Sequence, residues 1–316
     1  MRDKAYNENK SIKIKEQVGF IKGIINDLYY LHDDKFDKKA TKPEAELLYP
    51  IIDSVLSSAQ MFANKNIKVA FEPTNDWNIL VNINNVALRR SLLNLTTNAI
   101  ESIAETGEVV ISLVKNGLNA VIKIVDTGVG LSQENIAKLL NGKTESNKTN
   151  GKGLGFNFSK NVIEHFGGII DIKSDLNKGT TQTITLPLLT QKPIWFIDKI
   201  DLTDYKNIVI LDDNTGIHDV YRQKLNTGNL QHFFTVATFE KALPNLDKNT
   251  FFIIDNSLDV STPSGLDLIK KYNLQNNSIL ITSMYLESKI KQKCTEFGVK
   301  LLPKSLIEYI IYILYN

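Results

Sequence analysis

The chain has 316 residues, with 37 Lys and Arg against 35 Asp and Glu. So even a balance gives no pointer to nucleic acid. The single cysteine, Cys294, excludes an intrachain disulfide and suits the cytoplasm. No run reaches the ~18 apolar residues of a membrane span, no signal peptide is visible, and the length accommodates two domains plus a helical arm.

The arm comes first. Ile14, Val18, Ile21, Ile25 and Leu28 recur at alternating steps of four and three, a heptad seam that predicts a helix over residues 12–32 packing in a bundle or coiled coil. A homodimer through this helix is expected. His32 continues the seam, followed by Asp33 and Asp34, and reads as a solvated helix end. The expected divisions are an arm over 1–40, a domain over 41–190, a linker over 191–206 and a second domain over 207–316. The linker holds Pro193, Trp195 and Phe196 and is too apolar for a free tether, so it is expected to pack on one domain.

In the first domain, residues 86–103 read as an amphipathic helix that carries Asn94 and Asn98 four apart, on one face. An amide oxygen is a hard neutral ligand that Mg²⁺ accepts beside phosphate oxygens and water. Val121–Val125 alternates as a buried strand and ends at Asp126. An ionised carboxylate only accepts hydrogen bonds, so it matches the exocyclic amino group of adenine. Gly128 and Gly130 let the backbone turn and approach a base closely. Gly151, Lys152, Gly153, Leu154 and Gly155 lead into a helix over 156–166, whose first backbone N–H groups form an anion site for β- and γ-phosphates. Lys143 and Lys148 stand in the polar stretch just before, which reads as a lid.

Taken in order, these residues resemble the ATP-binding catalytic domain of sensor histidine kinases, within the superfamily that includes gyrase- and Hsp90-type ATPases. Asn94-x-x-x-Asn98 resembles the N box, Asp126-Thr-Gly-Val-Gly130 the G1 box and Gly151-Lys-Gly-Leu-Gly155 the G2 box. Gly179-Thr-Thr181, before a strand over 183–188, resembles the closing element and adds Thr181 to the expected site. The lid lacks the phenylalanine pair of a typical F box, and Gln182 stands where an aromatic is often found. Gyrase-type ATPases carry a glutamate at the first N-box position as general base. Asn94 cannot accept that proton, which favours phosphoryl transfer to a protein over hydrolysis. The H box that carries the phosphorylated histidine in the family is not found; its arginine and proline are absent around His32. The acceptor is therefore expected upstream or on another protein.

In the second domain, short apolar runs at 208–211, 251–254, 278–281 and 300–302 alternate with helix-like segments such as 216–226, 264–273 and 286–297. That alternation predicts a doubly wound parallel sheet with its ligand site at the carboxyl ends of the strands. Asp212, Asp213, Asp255, Thr282 and Lys304 all fall there. Three converging carboxylates repel one another unless a cation intervenes, and Mg²⁺ suits an all-oxygen set. A lysine and a hydroxyl close by would stabilise a phosphoryl group on the middle carboxylate. This set resembles the receiver domain of response regulators. The resemblance implies Asp212 and Asp213 as metal ligands together with Asp255, Asp255 as phosphoacceptor, Thr282 as switch hydroxyl and Lys304 as phosphate partner. Ser305 follows Lys304 where receivers usually have proline, and the apolar tail Leu306–Leu314 is expected to be the last receiver helix.

The fold class expected is thus α/β: an N-terminal helix, an α/β sandwich of the histidine-kinase, gyrase and Hsp90 type, and a flavodoxin-like doubly wound receiver. The resemblances imply a hybrid histidine kinase with ATP and Mg²⁺ as cofactors and Asn98 among the metal ligands. Its partners would be a histidine-bearing phosphotransfer domain or kinase helix and a downstream response regulator or effector. A cytoplasmic location is expected, whether free or as the cytoplasmic part of a membrane-associated sensor. The alternative is a non-catalytic nucleotide-binding adaptor with a phosphorylatable receiver.

Overall fold

The computed structural model describes residues 42–72, 74–141, 154–225, 228–258 and 262–314. The expected arm with His32, the lysines at 143, 148 and 152, and Gly151 and Gly153 lie outside these residues. Two compact units divide between Leu188 and Leu189. Among the described residues no helix is long and apolar enough to cross a membrane.

The first unit runs β1 (Glu44–Leu47), α1 (Leu48–Ala59), β2 (Ile67–Phe71), β3 (Leu80–Ile83), α2 (Asn85–Glu101), β4 (Gly107–Asn116), β5 (Asn119–Asp126), α3 (Gln133–Leu140), α4 (Leu154–His165), β6 (Ile169–Ser174) and β7 (Thr180–Pro187). β1 and β3 form an antiparallel ribbon, and a five-stranded sheet has the order β2-β4-β5-β7-β6, antiparallel except for β2 with β4. The alternation in β5 explains its register. Ala120, Ile122 and Ile124 are fully buried, while Lys123 and Val125 face outward. Burying each isoleucine contributes about 1.5–3 kcal/mol. A slip by one residue would lose both and turn Asp126 to the opposite face. The packing that fixes this strand therefore also aims the carboxylate at its end. Helix α2 starts at Asn84, whose side chain accepts the Ala87 N–H at 2.9 Å. It packs against α1, α4 and β5, which buries Asn94 between elements.

The second unit runs β8 (Lys199–Asp201), β9 (Asn207–Leu211), α5 (Thr215–Leu225), β10 (Leu230–Phe233), α6 (Val236–Ala242), β11 (Thr250–Asp255), α7 (Gly265–Lys271), β12 (Ser278–Thr282), α8 (Ser288–Phe297), β13 (Lys300–Pro303) and β14 (Ile311–Ile313). The five-stranded sheet is all parallel in the order β10-β9-β11-β12-β13. This is the doubly wound 2-1-3-4-5 arrangement, whose switch point opens a crevice at the carboxyl ends of its first and third strands. Every residue of β11 and β12 is buried, as two covered faces require.

Two features differ from the sequence reading. Strand β10 and helix α6 were not among the expected elements; β10 reads Leu-Gln-His-Phe, a half-buried edge with no apolar run. The tail expected as a last helix instead makes a 3-10 turn at Lys304–Leu306 and then β14, parallel to β8. Ile310, Ile311, Tyr312 and Ile313 are β-branched or aromatic and favour a strand. The segment before the sheet supplies the partner. Trp195, Phe196, Ile200 and Leu202 are buried in this unit, and the Trp195 carbonyl accepts the Leu301 N–H at 2.8 Å.

Candidate functional site

Asp126 ends β5 with only 3 % of its surface exposed. Its Oδ1 accepts three hydrogen bonds, from Gly128 N at 2.9 Å, Ser102 Oγ at 3.1 Å and Thr180 N at 3.2 Å. Burial raises the pKa of this carboxyl, and the three donors oppose the rise by stabilising the charged form. With all three on one oxygen, the group is pinned in orientation. Two glycines allow this. A Cβ on Gly128 would stand 1.9 Å from Ser102 Oγ, and Gly130 has φ +68° with Asp175 O only 2.0 Å from where its Cβ would be. A cleft of about 390 Å³ opens beside Asp126, with Ile136, Ile172, Thr180 and Thr181 in its wall. A buried, oriented acceptor at the side of a partly apolar cleft fits the amino edge of a purine.

Asn94 is buried on α2 and its side chain meets Gly155 of α4, where a Cβ would lie 3.5 Å away. Asn98, one turn later, is exposed. The structure brings Asn94 and Gly155 together and leaves Asn98 exposed to solvent. Leu154 begins α4.

Thr180 and Thr181 both line the cleft beside Asp126, on opposite sides of the strand. The β5–β7 register sets Thr180 opposite Asp126, and Thr181 opposite Val125 on the other face of the sheet. Strand alternation makes Thr180 the neighbour of the carboxylate. Thr180 Oγ1 in turn lies 3.0 Å from Ser174 Oγ. Ser102 was missed by sequence reading, although Asn94, Asn98 and Ser102 at steps of four already mark one helix face. Gln182, which stands where an aromatic is often found in the family it resembles, is buried and donates from Nε2 to the Leu95 carbonyl of α2 at 3.2 Å.

In the second unit, β9 delivers Asp212 and Asp213, and β11 delivers Asp255. One carboxylate oxygen of each lies within 4.8 Å of the others. Asp212 and Asp255 are buried and Asp213 is exposed. Lys304 Nζ bridges the two buried acids, 2.8 Å from Asp212 Oδ2 and 3.0 Å from Asp255 Oδ2. Burial pushes the Asp212 carboxyl up to about 6; the Lys304 charge pulls it down and the Asp255 charge adds to the rise. Burial alone would lower Lys304, but the two carboxylates hold it raised. Thr282 is fully buried at the end of β12, where its Oγ1 accepts the Met284 N–H at 2.9 Å. Among the described residues Asp255 Oδ1 is buried without a hydrogen-bond partner. A buried carboxylate oxygen left unsatisfied in an all-oxygen cluster fits a hard divalent cation such as Mg²⁺.

Residues 83–190 match the profile of the family described as "Histidine kinase-, DNA gyrase B-, and HSP90-like ATPase". Sporulation kinase D of Bacillus subtilis (strain 168) is 29 % identical over 175 residues, 55 % of this chain and 34 % of that protein. Sporulation kinase B of the same strain is 36 % identical over 133 residues, 42 % of this chain and 31 % of the relative. Sensor protein EvgS of Escherichia coli (strain K12) is 28 % identical over 233 residues, 69 % of this chain and 19 % of the relative. The chain thus spans about a third or less of each relative's length. Its first unit contains a histidine-kinase-type ATP-binding catalytic domain.

Proposed function

We propose, from that ATP-binding domain as premise, that the protein is a two-component phosphotransferase. It passes the γ-phosphate of ATP to a histidine, located upstream or on another chain, and thence to Asp255 of a receiver-like second unit. The observation that carries the reading is the acid cluster at the carboxyl edge of a 2-1-3-4-5 sheet, bridged by Lys304, in the same chain as the ATP domain.

In the first step Asp126 accepts from the adenine amino group, and the start of α4 with the glycine-rich loop holds the phosphates. Asn98 supplies an amide oxygen to the cation. Asn94 offers no base to activate water, so transfer to a protein acceptor is favoured over hydrolysis. In the second step a carboxylate oxygen of Asp255 attacks the phosphorus of a phosphohistidine. The P–N bond breaks, and the imidazole nitrogen keeps the electron pair and takes up a proton. Lys304 then neutralises phosphoryl oxygens, and the Thr282 hydroxyl can turn from Met284 N–H toward them. Mg²⁺, when bound by Asp212, Asp213 and Asp255, offsets the charge of the cluster and of the incoming phosphate. A dimer through the N-terminal helix, a histidine-bearing partner and a downstream regulator complete the proposal, on the cytoplasmic side.

The test is incubation of the intact chain with γ-labelled ATP, Mg²⁺ and a kinase-type histidine hairpin. Base-stable, acid-labile label on the hairpin, followed by label on this chain that Asp255→Ala abolishes, is expected. Rapid release of inorganic phosphate without protein label would overturn the phosphotransferase reading. Equal labelling of Asp255→Ala would overturn the acceptor assignment.

A further inference from the structure

His218 of α5 and His232 of β10 form a dyad outside the acid cluster, next to it. His218 is fully buried. Its Nε2 lies 2.8 Å from the backbone carbonyl of Asp212, and its Nδ1 lies 2.7 Å from His232 Nδ1. The rings meet edge-on with centroids 4.9 Å apart, and the Phe234 ring covers His218 at 4.1 Å. A carbonyl only accepts, so His218 Nε2 carries a proton. With both rings neutral, His218 Nδ1 is then the acceptor and His232 Nδ1 the donor. The chain of donors runs one way: His232 Nδ1–H to His218, His218 Nε2–H to the Asp212 carbonyl. Asp212 also anchors its loop through Oδ1, which accepts Asn214 N–H at 2.8 Å. The backbone that aims two of the three carboxylates is therefore held from outside by a relay that begins at a half-buried edge-strand side chain.

We propose that His218 and His232 are positioning residues for cation binding by Asp212, Asp213 and Asp255, with His232 selecting the His218 tautomer that grips the Asp212 carbonyl. The proposal rests on the reading of the acid cluster as a divalent-cation site. The alternative for the pair is simple core filling, in which ring shape matters and the proton does not. Asparagine keeps an N–H close to the position of histidine Nδ1, whereas leucine keeps bulk and loses the donor. This difference separates the two roles.

The experiment is nucleotide-free titration of the intact chain with Mn²⁺, followed by electron paramagnetic resonance, on wild type, His232→Leu, His232→Asn and Asp213→Asn. Nitrogen-15 spectra of the histidine rings are recorded alongside. Loss of one hydrogen bond corresponds to about fivefold in affinity. Weakening of that order is expected in His232→Leu, with loss of the single Nε2–H form of His218. His232→Asn should stay within about twofold of wild type. Equal Mn²⁺ affinity in wild type and His232→Leu overturns the positioning role, as does an equal loss in His232→Asn and His232→Leu. If wild type takes up no Mn²⁺, or Asp213→Asn binds as well as wild type, the cation-site reading itself fails, and the dyad proposal with it.

Discussion

Replacing Lys304 by methionine removes the cation between two buried carboxylates while keeping most of the side-chain bulk. Lys304 is 14 % exposed and within 3.0 Å of both acids. Removing one partner of a buried pair costs about 3–5 kcal/mol, a large part of the ~5–15 kcal/mol that holds a domain together. The loss has a pH signature. The Asp212 carboxyl stands at about 6 in the folded chain against an ordinary 3.8. A raised carboxyl favours folding fully below the unfolded value, and that contribution is lost as pH rises through the folded one. The rise from 3.8 to about 6 is worth about 3 kcal/mol over that window. Lysine opposes the rise, so Lys304→Met should push the Asp212 carboxyl higher still. The variant relieves itself by protonation more fully at pH 5 than at pH 8. Urea unfolding at both pH values, followed through Trp195 in a Trp77→Phe background, measures the difference; both tryptophans are buried, one in each unit. The expected result is a loss of several kcal/mol at pH 8 and a clearly smaller one at pH 5. A loss below about 1 kcal/mol at pH 8 would show that water screens the two acids, and the electrostatic account would be wrong.

Asp126→Asn replaces an acceptor by a group that can present a donor to adenine, and ATP binding by calorimetry should fall below detection; unchanged affinity would refute the pocket. Because burial raises the Asp126 carboxyl, ATP affinity in the parent should weaken on acidification before an ordinary aspartate would protonate. Ser102→Ala removes one of the donors that favour the charged form, so the midpoint of that profile should move to higher pH, and an unmoved midpoint would remove Ser102 from the site. Gly130→Ala must place a Cβ at φ +68° against Asp175 O, and thermal unfolding should show a loss above about 1 kcal/mol. Asp255→Ala should take no label from acetyl phosphate, whereas persistent labelling would point to another acceptor.

Much of this chain could be read before its structure. Strong periodicity located α2, β5, α4 and the parallel strands other than β10 to within a few residues; β5 and β11 end at Asp126 and Asp255, and Asp212 directly follows β9. What escaped reading depends on partners remote in sequence. Ser102 acquires its role only when the turn after β5 folds back on α2. That Thr180 rather than Thr181 stands opposite Asp126 follows from the β5–β7 register, which no local pattern specifies. His218 and His232 look like ordinary core histidines until α5 and β10 bring their rings together. Ile310 to Ile313 suits a buried helix or a strand equally well, and the nearby β8 decides it.

That last pairing has a consequence for synthesis. Ile311 of β14 sits beside Lys199 of β8, more than a hundred positions earlier. At about 5–20 residues per second, β8 leaves the ribosome some 5–20 seconds before its partner. Through that interval Trp195, Phe196, Ile200 and Leu202 lack the β13 and β14 contacts that cover them in the finished unit. The nascent chain therefore carries an apolar segment between two domains for most of the time the second is being made. Holdase chaperones should engage it there and release it when residues 311–313 emerge.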